Sequence, residues 1–195
     1  PKLTLLHDGR DAESLKRFDS LRSGLGDPSF EIVDSNAIDA GIKQHYDEVV
    51  LREENADRAV GAEQIMVVRN VGQFRGLRKD EDDFGMGSFG EPKEATTASM
   101  FSDILKRGPL VGIHVVVWSD TFSNVVRWLS SSLLREFENR IAFRMNQTDS
   151  ASLIDSPVAA SLGPARAIIY RDQTGATEKF RPFAWPSNEW LESLG

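Results

Sequence analysis

Four short apolar, mostly β-branched runs set one after another along the chain constrain its fold more than any other feature. They are LTLL (residues 3–6), FEIV (30–33), IMVV (65–68) and IHVVVW (113–118), and between them lie stretches with apolar residues at helical spacing. Several of these runs are apolar nearly throughout, as strands buried on both faces are. Strands of this kind alternating with helices dictate an α/β domain: a mostly parallel sheet with helices packed on both faces. After the first strand, His7-Asp8-Gly9 makes a polar turn into a helix reaching about Arg22, which Gly24, Gly26 and Pro28 end. Asp34 or Ser35 can cap the second helix, whose Ala37, Ile38, Ile42 and Val49 repeat at helical spacing to about Asn55.

Beyond the third strand the pattern stops. RKDEDDFGMGSFGEPKEATT is too charged and glycine-rich for a core, so residues 79–95 are expected to form a mobile loop. A helix over Thr97–Lys106 then leads into the Ile113–Trp118 strand, and helices are expected over about 123–138. Ile141–Met145 reads as a fifth strand and Asp149–Ile154 as a short helix. Ala167–Tyr170 and Thr177–Arg181 read as a closing β-hairpin around RDQTGAT. There is no internal repeat, and 195 residues suit one domain spanning 1–195.

Composition excludes several function classes. The net charge of −7 argues against a chain whose whole surface binds nucleic acid, because phosphate contacts need clustered Lys and Arg. The absence of cysteine removes thiolate metal sites, thiol nucleophiles and disulfides, which suits a cytoplasmic setting. No apolar run is long enough to cross a bilayer, so no membrane contact is expected from this segment.

Most apparent motifs dissolve on inspection. GMGSFG (85–90) has the glycine spacing of a phosphate loop, but Glu91-Pro92 follows where Lys and Ser or Thr must meet the phosphates and Mg²⁺. It also follows DEDDF rather than a strand. Asp80, Glu81, Asp82 and Asp83 read as a solvated charge run, and His7, His45 and His114 lack zinc-ligand spacing. Ser130–Ser132 lack a nucleophile elbow, and the four tryptophans suit a core or an interface. No metal site is expected.

Read in order, several segments together resemble the FtsK/SpoIIIE family of RecA-like translocating ATPases. KLTLLHDGR stands where that family has an apolar strand ending near an Asp. EIVDSNAIDAGIKQHYDEVVLRE is similar to its next strand and helix, with Glu48 and Arg52 at the Glu-x-x-x-Arg helix end. QIMVVRNVGQFRGL falls at the Walker B strand, and LKRGPLVGIHVVVWSDTFSN resembles the Gly-Ile-His strand leading to a Thr-Gln sensor turn. RIAFRMNQTDSASLIDSPVAASLGPARAIIY is similar to the Arg-Ile-x-Phe strand, the Asp-Ser turn and the Leu-Gly turn. The resemblance covers nearly all of residues 2–170.

The resemblance implies a RecA-like P-loop core from which the phosphate-loop strand is missing, since G-x-x-x-x-G-K-[ST] occurs nowhere. Arg69-Asn70 stands at the Walker B Asp-Glu, Asp120 at the sensor Gln, and Ala151 at the Arg of Asp-Ser-Arg. Neither Arg69 nor Asn70 can ligate Mg²⁺ as a carboxylate does or act as a general base. The expectation is a piece of a larger protein, a degenerate module that serves assembly or regulation and does not itself hydrolyse ATP. The alternative is a trimmed part of an active ATP-driven DNA or protein translocase. In either case ATP and Mg²⁺ belong to the full-length parent rather than this segment. The implied partners are upstream and neighbouring modules of the same chain, further copies in a homo-oligomer, and DNA or polypeptide cargo through the parent. Arg135, Arg140 and Arg144 are candidates to act across a subunit boundary, with a salt-bridged structural role the equal alternative for Arg140. Finally, the missing strand implies that 113–118 and 141–145 either pair directly as parallel neighbours or leave an edge for another chain.

Overall fold

The computed structural model describes residues 1–25, 29–55, 61–78, 95–187, 189–190 and 193. The expected loop over 79–95 therefore falls outside the described residues, except for Ala95. The chain divides into two compact units, one of residues 1–133 with 187–195 and the other of residues 134–186.

The larger unit is built on a four-stranded parallel sheet of order β2-β1-β3-β4, with β1 at Lys2–His7, β2 at Phe30–Asp34, β3 at Gln64–Arg69 and β4 at Ile113–Trp118. All four apolar runs thus become parallel strands, as their composition dictates. Helices α1 (Ala12–Leu25), α2 (Ile38–Glu54) and α3 (Thr97–Arg107) make the crossovers, and α4 (Phe122–Trp128) and α5 (Ser131–Arg135) follow β4. Thr96 caps α3, accepting from the Ser99 amide, and Thr121 caps α4, accepting from Asn124. Asp34, expected at the start of α2, instead accepts from the Asn36 amide and caps a 3-10 turn at Ser35–Ala37, and α2 begins after Ala37 without a side-chain cap. α2 buries Ile38, Ile42, His45 and Val49, and α3 buries Met100, Phe101, Ile104 and Leu105, each a stripe at helical spacing. Leu5, Leu6, Met66, Val68 and Ile113 form the buried core of the sheet.

Two side chains staple the connections. Arg52 donates from Nε to Glu48 at 2.7 Å, and from its two Nη atoms to the carbonyls of Val111 at 3.0 Å and Ala62 at 2.9 Å. The Glu48–Arg52 pair therefore ties the end of α2 to the turns entering β3 and β4. Gly108 is required by contact, since a Cβ there would lie 2.6 Å from the Ile113 carbonyl oxygen.

The smaller unit is a three-stranded antiparallel sheet of order β5-β6-β7, with β5 at Asn139–Ala142, β6 at Ala167–Arg171 and β7 at Ala176–Phe180. The closing hairpin is present, and Gly175 turns it at φ 63°. Helix α6 (Gln147–Ile154) and a short 3-10 turn at Pro157–Ser161 complete a core of Ala142, Ile154, Ala159, Leu162, Ile168 and Tyr170.

Here the sequence expectation needs correction. The fifth strand does not lie parallel beside β4; it pairs antiparallel with β6. β5 alternates exposed and buried positions over four residues, with one covered face, and the adjacent hairpin supplies an antiparallel partner in β6. Among the described residues β4 pairs only with β3, and none forms a strand on its other edge.

Candidate functional site

Open parallel sheets bind ligands outside the carboxyl ends of their strands, where the strand order reverses. In the larger unit the chain runs from β1 to β2 on one side and returns to β3 on the other. The switch point therefore lies between the carboxyl ends of β1 and β3, at His7–Asp11 and Arg69–Asn70.

The β1 turn is built around a buried histidine. The Gly9 amide donates to His7 Nδ1 at 2.9 Å, made possible by Gly9 at φ 71°. An accepting Nδ1 puts the ring proton on Nε2, which faces Ser14 Oγ at 3.3 Å. Burial, followed by the charge of Arg69, holds the His7 pKa below its ordinary value and the ring neutral. Asp11 then caps α1, accepting from the Ser14 amide at 3.1 Å.

Arg69 closes the crevice from the β3 side. Its Nη2 donates to Asp11 Oδ2 at 3.0 Å, its Nη1 lies 3.9 Å from Asp8 Oδ1, and its guanidinium sits 5.4 Å from the centre of the Trp118 ring. The amide hydrogen bond from Ser14 first, and the Arg69 charge after it, lower the Asp11 pKa, so the carboxylate stays ionised. The next residue turns sharply: Asn70 lies in the left-handed region (φ 58°, ψ 74°), and its carbonyl accepts from the Gln73 amide at 2.9 Å. Asparagine is among the few non-glycine residues that tolerate this conformation. Asn70 Oδ1 is buried without a hydrogen-bond partner. Arg10 adds a second link between the two turns, donating to Gln73 Oε1 at 2.7 Å.

The β4 exit is tied to the same loop. Asp120 accepts from Asn124 Nδ2 at 2.7 Å, and a Cβ on Gly72 would come within 2.7 Å of that same nitrogen. Asp120, exposed, is thus committed to the start of α4. The structure brings Arg69, Asn70 and Asp120 to the carboxyl ends of adjacent strands, with Trp118 between them.

Arg140 lies in the smaller unit and is 9% exposed. It donates to the carbonyls of Phe137 at 3.2 Å and Leu153 at 3.4 Å and to Asp172 Oδ1 at 3.0 Å, with Tyr170 5.5 Å beneath. All three guanidinium nitrogens are used within the unit. Arg135 and Arg144, by contrast, are exposed.

What the switch point can do follows from its charges. A Mg²⁺–nucleotide site needs carboxylates facing outward from the end of β3, and a cation stands there instead. The two nearest carboxylates, Asp8 and Asp11, face that cation. Among the described residues no three His, Asp or Glu side chains group to hold a metal. The residues present do not fit Mg²⁺, and no general base stands at the end of β3. The charge pattern of HDGRD at the end of an apolar strand was the signal that could have marked His7, Asp8 and Asp11 in the sequence.

No protein-family model matches the chain, and no curated protein does. Solved structures do. The DNA-packaging ATPase B204 of Sulfolobus turreted icosahedral virus superposes with a TM-score of 0.60 at 8% identity, over 94% of this chain and 83% of that one. The genome packaging NTPase B204 of Sulfolobus turreted icosahedral virus 2, in complex with sulfate, gives 0.54 at 10% identity over 94% and 82%. The cytoplasmic domain of the type VII secretion ATPase EccC of Thermomonospora curvata gives 0.60 at 14% identity over 98% of this chain. The fold is that of packaging and secretion ATPases. Of EccC the chain spans only 23%. Among the described residues no helix is long and apolar enough to cross a membrane.

Proposed function

We propose that this chain is part of a translocase-type ATPase of the FtsK/SpoIIIE kind, and that its module serves assembly or regulation rather than hydrolysing ATP itself. The observation that carries the reading is Arg69, which stands at the Walker B position and is held by Asp11 at 3.0 Å and stacked on Trp118. A neutralised, internally paired cation replaces the carboxylate that hydrolysis needs, and it contributes to the structure of the switch point. Under this reading the two compact units belong to one cytoplasmic module. The module works with neighbouring modules and further copies of itself, and ATP, Mg²⁺ and any DNA or polypeptide cargo are handled by the parent protein.

The test is direct. Pure chain should release no phosphate from ATP in the presence of Mg²⁺, and should not bind a fluorescent ATP analogue tightly. Mg²⁺-dependent turnover that survives Arg69→Ala would place the active site elsewhere and overturn the reading.

One observation favours the alternative of a trimmed, active translocase. β4 is apolar along nearly its whole length, Val116 and Trp118 on one of its faces are 50% and 42% exposed, and among the described residues no strand pairs with its second edge. Natural edge strands are shortened, charged or bulged against pairing, and β4 has none of these features. A longer chain that restores Mg²⁺-dependent hydrolysis would select this alternative.

A further inference from the structure

Asp8 is a poorly partnered carboxylate in the crevice at the end of β1. Its side chain is only 9% exposed. Its Oδ1 accepts a long hydrogen bond from the Arg10 amide at 3.3 Å, and Arg69 Nη1 lies 3.9 Å away, beyond hydrogen-bond distance. The third group facing that oxygen is His7 Nδ1, at 3.7 Å. In the neutral ring this nitrogen is an acceptor already committed to the Gly9 amide at 2.9 Å, so it has nothing to give Asp8.

A proton on Nδ1 reverses both relations. The nitrogen can no longer accept from Gly9, and it becomes a charged donor beside a carboxylate that lacks one. A charge-assisted hydrogen bond of this kind is roughly twice as strong as a neutral one. The charges around the ring support the exchange. Asp8 and Asp11 share the single guanidinium of Arg69, which sits closer to Asp11, at 3.0 Å. α1 also presents Ser14 and Phe18 to the ring, and β2 ends in Asp34. Burial opposes the imidazolium most and Arg69 next, while Asp8, Asp11 and Asp34 favour it.

We propose that His7 is a proton-operated latch on the end of β3: protonation of Nδ1 breaks its bond with the Gly9 amide, draws Asp8 onto the ring, and leaves Asp11 as the one carboxylate holding Arg69. The movement is small, since a shift of about 1 Å brings Nδ1 and Oδ1 within hydrogen-bond distance. Gly9, at φ 71°, gives the turn the freedom to make it. Arg69 is then released on one side and repelled by the new imidazolium, so its stacking on Trp118 loosens with the same proton. Opening falls below pH 6.5, because burial and Arg69 both hold the ring neutral to lower pH. The latch works whether or not the parent protein hydrolyses ATP, and it is tested without nucleotide.

Heteronuclear NMR on the whole chain, labelled with nitrogen-15, follows the His7 imidazole nitrogens, the Gly9 amide and the Arg69 Nε–Hε group between pH 7.5 and 5. His7 Nδ1 should take up its proton below pH 6.5, and the Gly9 and Arg69 signals should titrate with the same midpoint. In Asp8→Asn the His7 midpoint should move to lower pH, and the Arg69 signal should lose most of its pH dependence. In His7→Gln both the Gly9 and the Arg69 signals should be flat across this range. Circular dichroism at each pH establishes that the chain is folded, and the wild-type titration decides alone should neither variant fold. The proposal is overturned by a His7 that titrates while Gly9 and Arg69 stay unmoved, or by a wild type that unfolds before His7 titrates. An unchanged His7 midpoint in Asp8→Asn, or an Arg69 signal that still titrates in His7→Gln, overturns it equally.

Discussion

Replacing Arg140 by methionine separates a structural arginine from one held ready for a neighbouring subunit. Methionine keeps most of the aliphatic stem, so the change removes the guanidinium with little loss of packing. Two carbonyl oxygens, of Phe137 and Leu153, lose their donors at 3.2 and 3.4 Å. At about 1 kcal/mol for each net hydrogen bond, these account for about 2 kcal/mol. The contact with Tyr170 at 5.5 Å adds about 0.5 kcal/mol. The ion pair to Asp172 adds about 0.5 kcal/mol, because that carboxylate is 44% exposed and well screened. The expected loss is about 3 kcal/mol, equivalent to about 6–12 °C in melting temperature for a chain of this size. Arg144→Met, at an exposed position, should stay within about 0.5 kcal/mol of wild type. Urea denaturation followed by far-ultraviolet circular dichroism measures both. If Arg140→Met is as stable as Arg144→Met, the guanidinium does not hold the smaller unit together, and its assignment as a structural residue is wrong.

Acid should destabilise the larger unit through two buried histidines. Burial first holds the pKa of both His45 and His7 below 6.5, so above that pH they are neutral in both states. As pH falls below 6.5 the unfolded chain takes up the protons first. Stability then drops by up to about 1.4 kcal/mol per pH unit per histidine until the folded pKa is reached. Melts between pH 7.5 and 5 should show this slope, and His45→Gln should reduce it. Arg69→Ala removes the second cause that lowers the His7 pKa, so nitrogen NMR should show His7 titrating at higher pH; an unmoved titration would separate Arg69 from the histidine. Gly108→Ala should cost about 1–3 kcal/mol in denaturant melts, because its Cβ would lie 2.6 Å from a backbone oxygen in β4.

Which parts of this fold could be read from the sequence follows from how local their causes are. The four parallel strands were legible because each is a short, largely apolar run set between helical segments, and the helices because their buried stripes lie within a few residues. β5 was not, because RIAF looks apolar until one knows that Arg140 points inward. There it is held by Phe137, Leu153 and Asp172, the last 32 residues away in the chain. A buried arginine reads as a surface residue in any local pattern. The same limit governs the candidate site. Arg69-Asn70 could be seen to lack carboxylates, but its pairing with Asp11 depends on the β1–β3 register, which joins segments 58 residues apart. Substituting a cation at such a strand end is tolerable only where carboxylates already face it. Asp8 and Asp11, fixed by the His7–Gly9 turn and the cap of α1, provide that environment. Arg69 at the end of β3 and the acidic turn after β1 are therefore two halves of one arrangement, and neither is intelligible without the other.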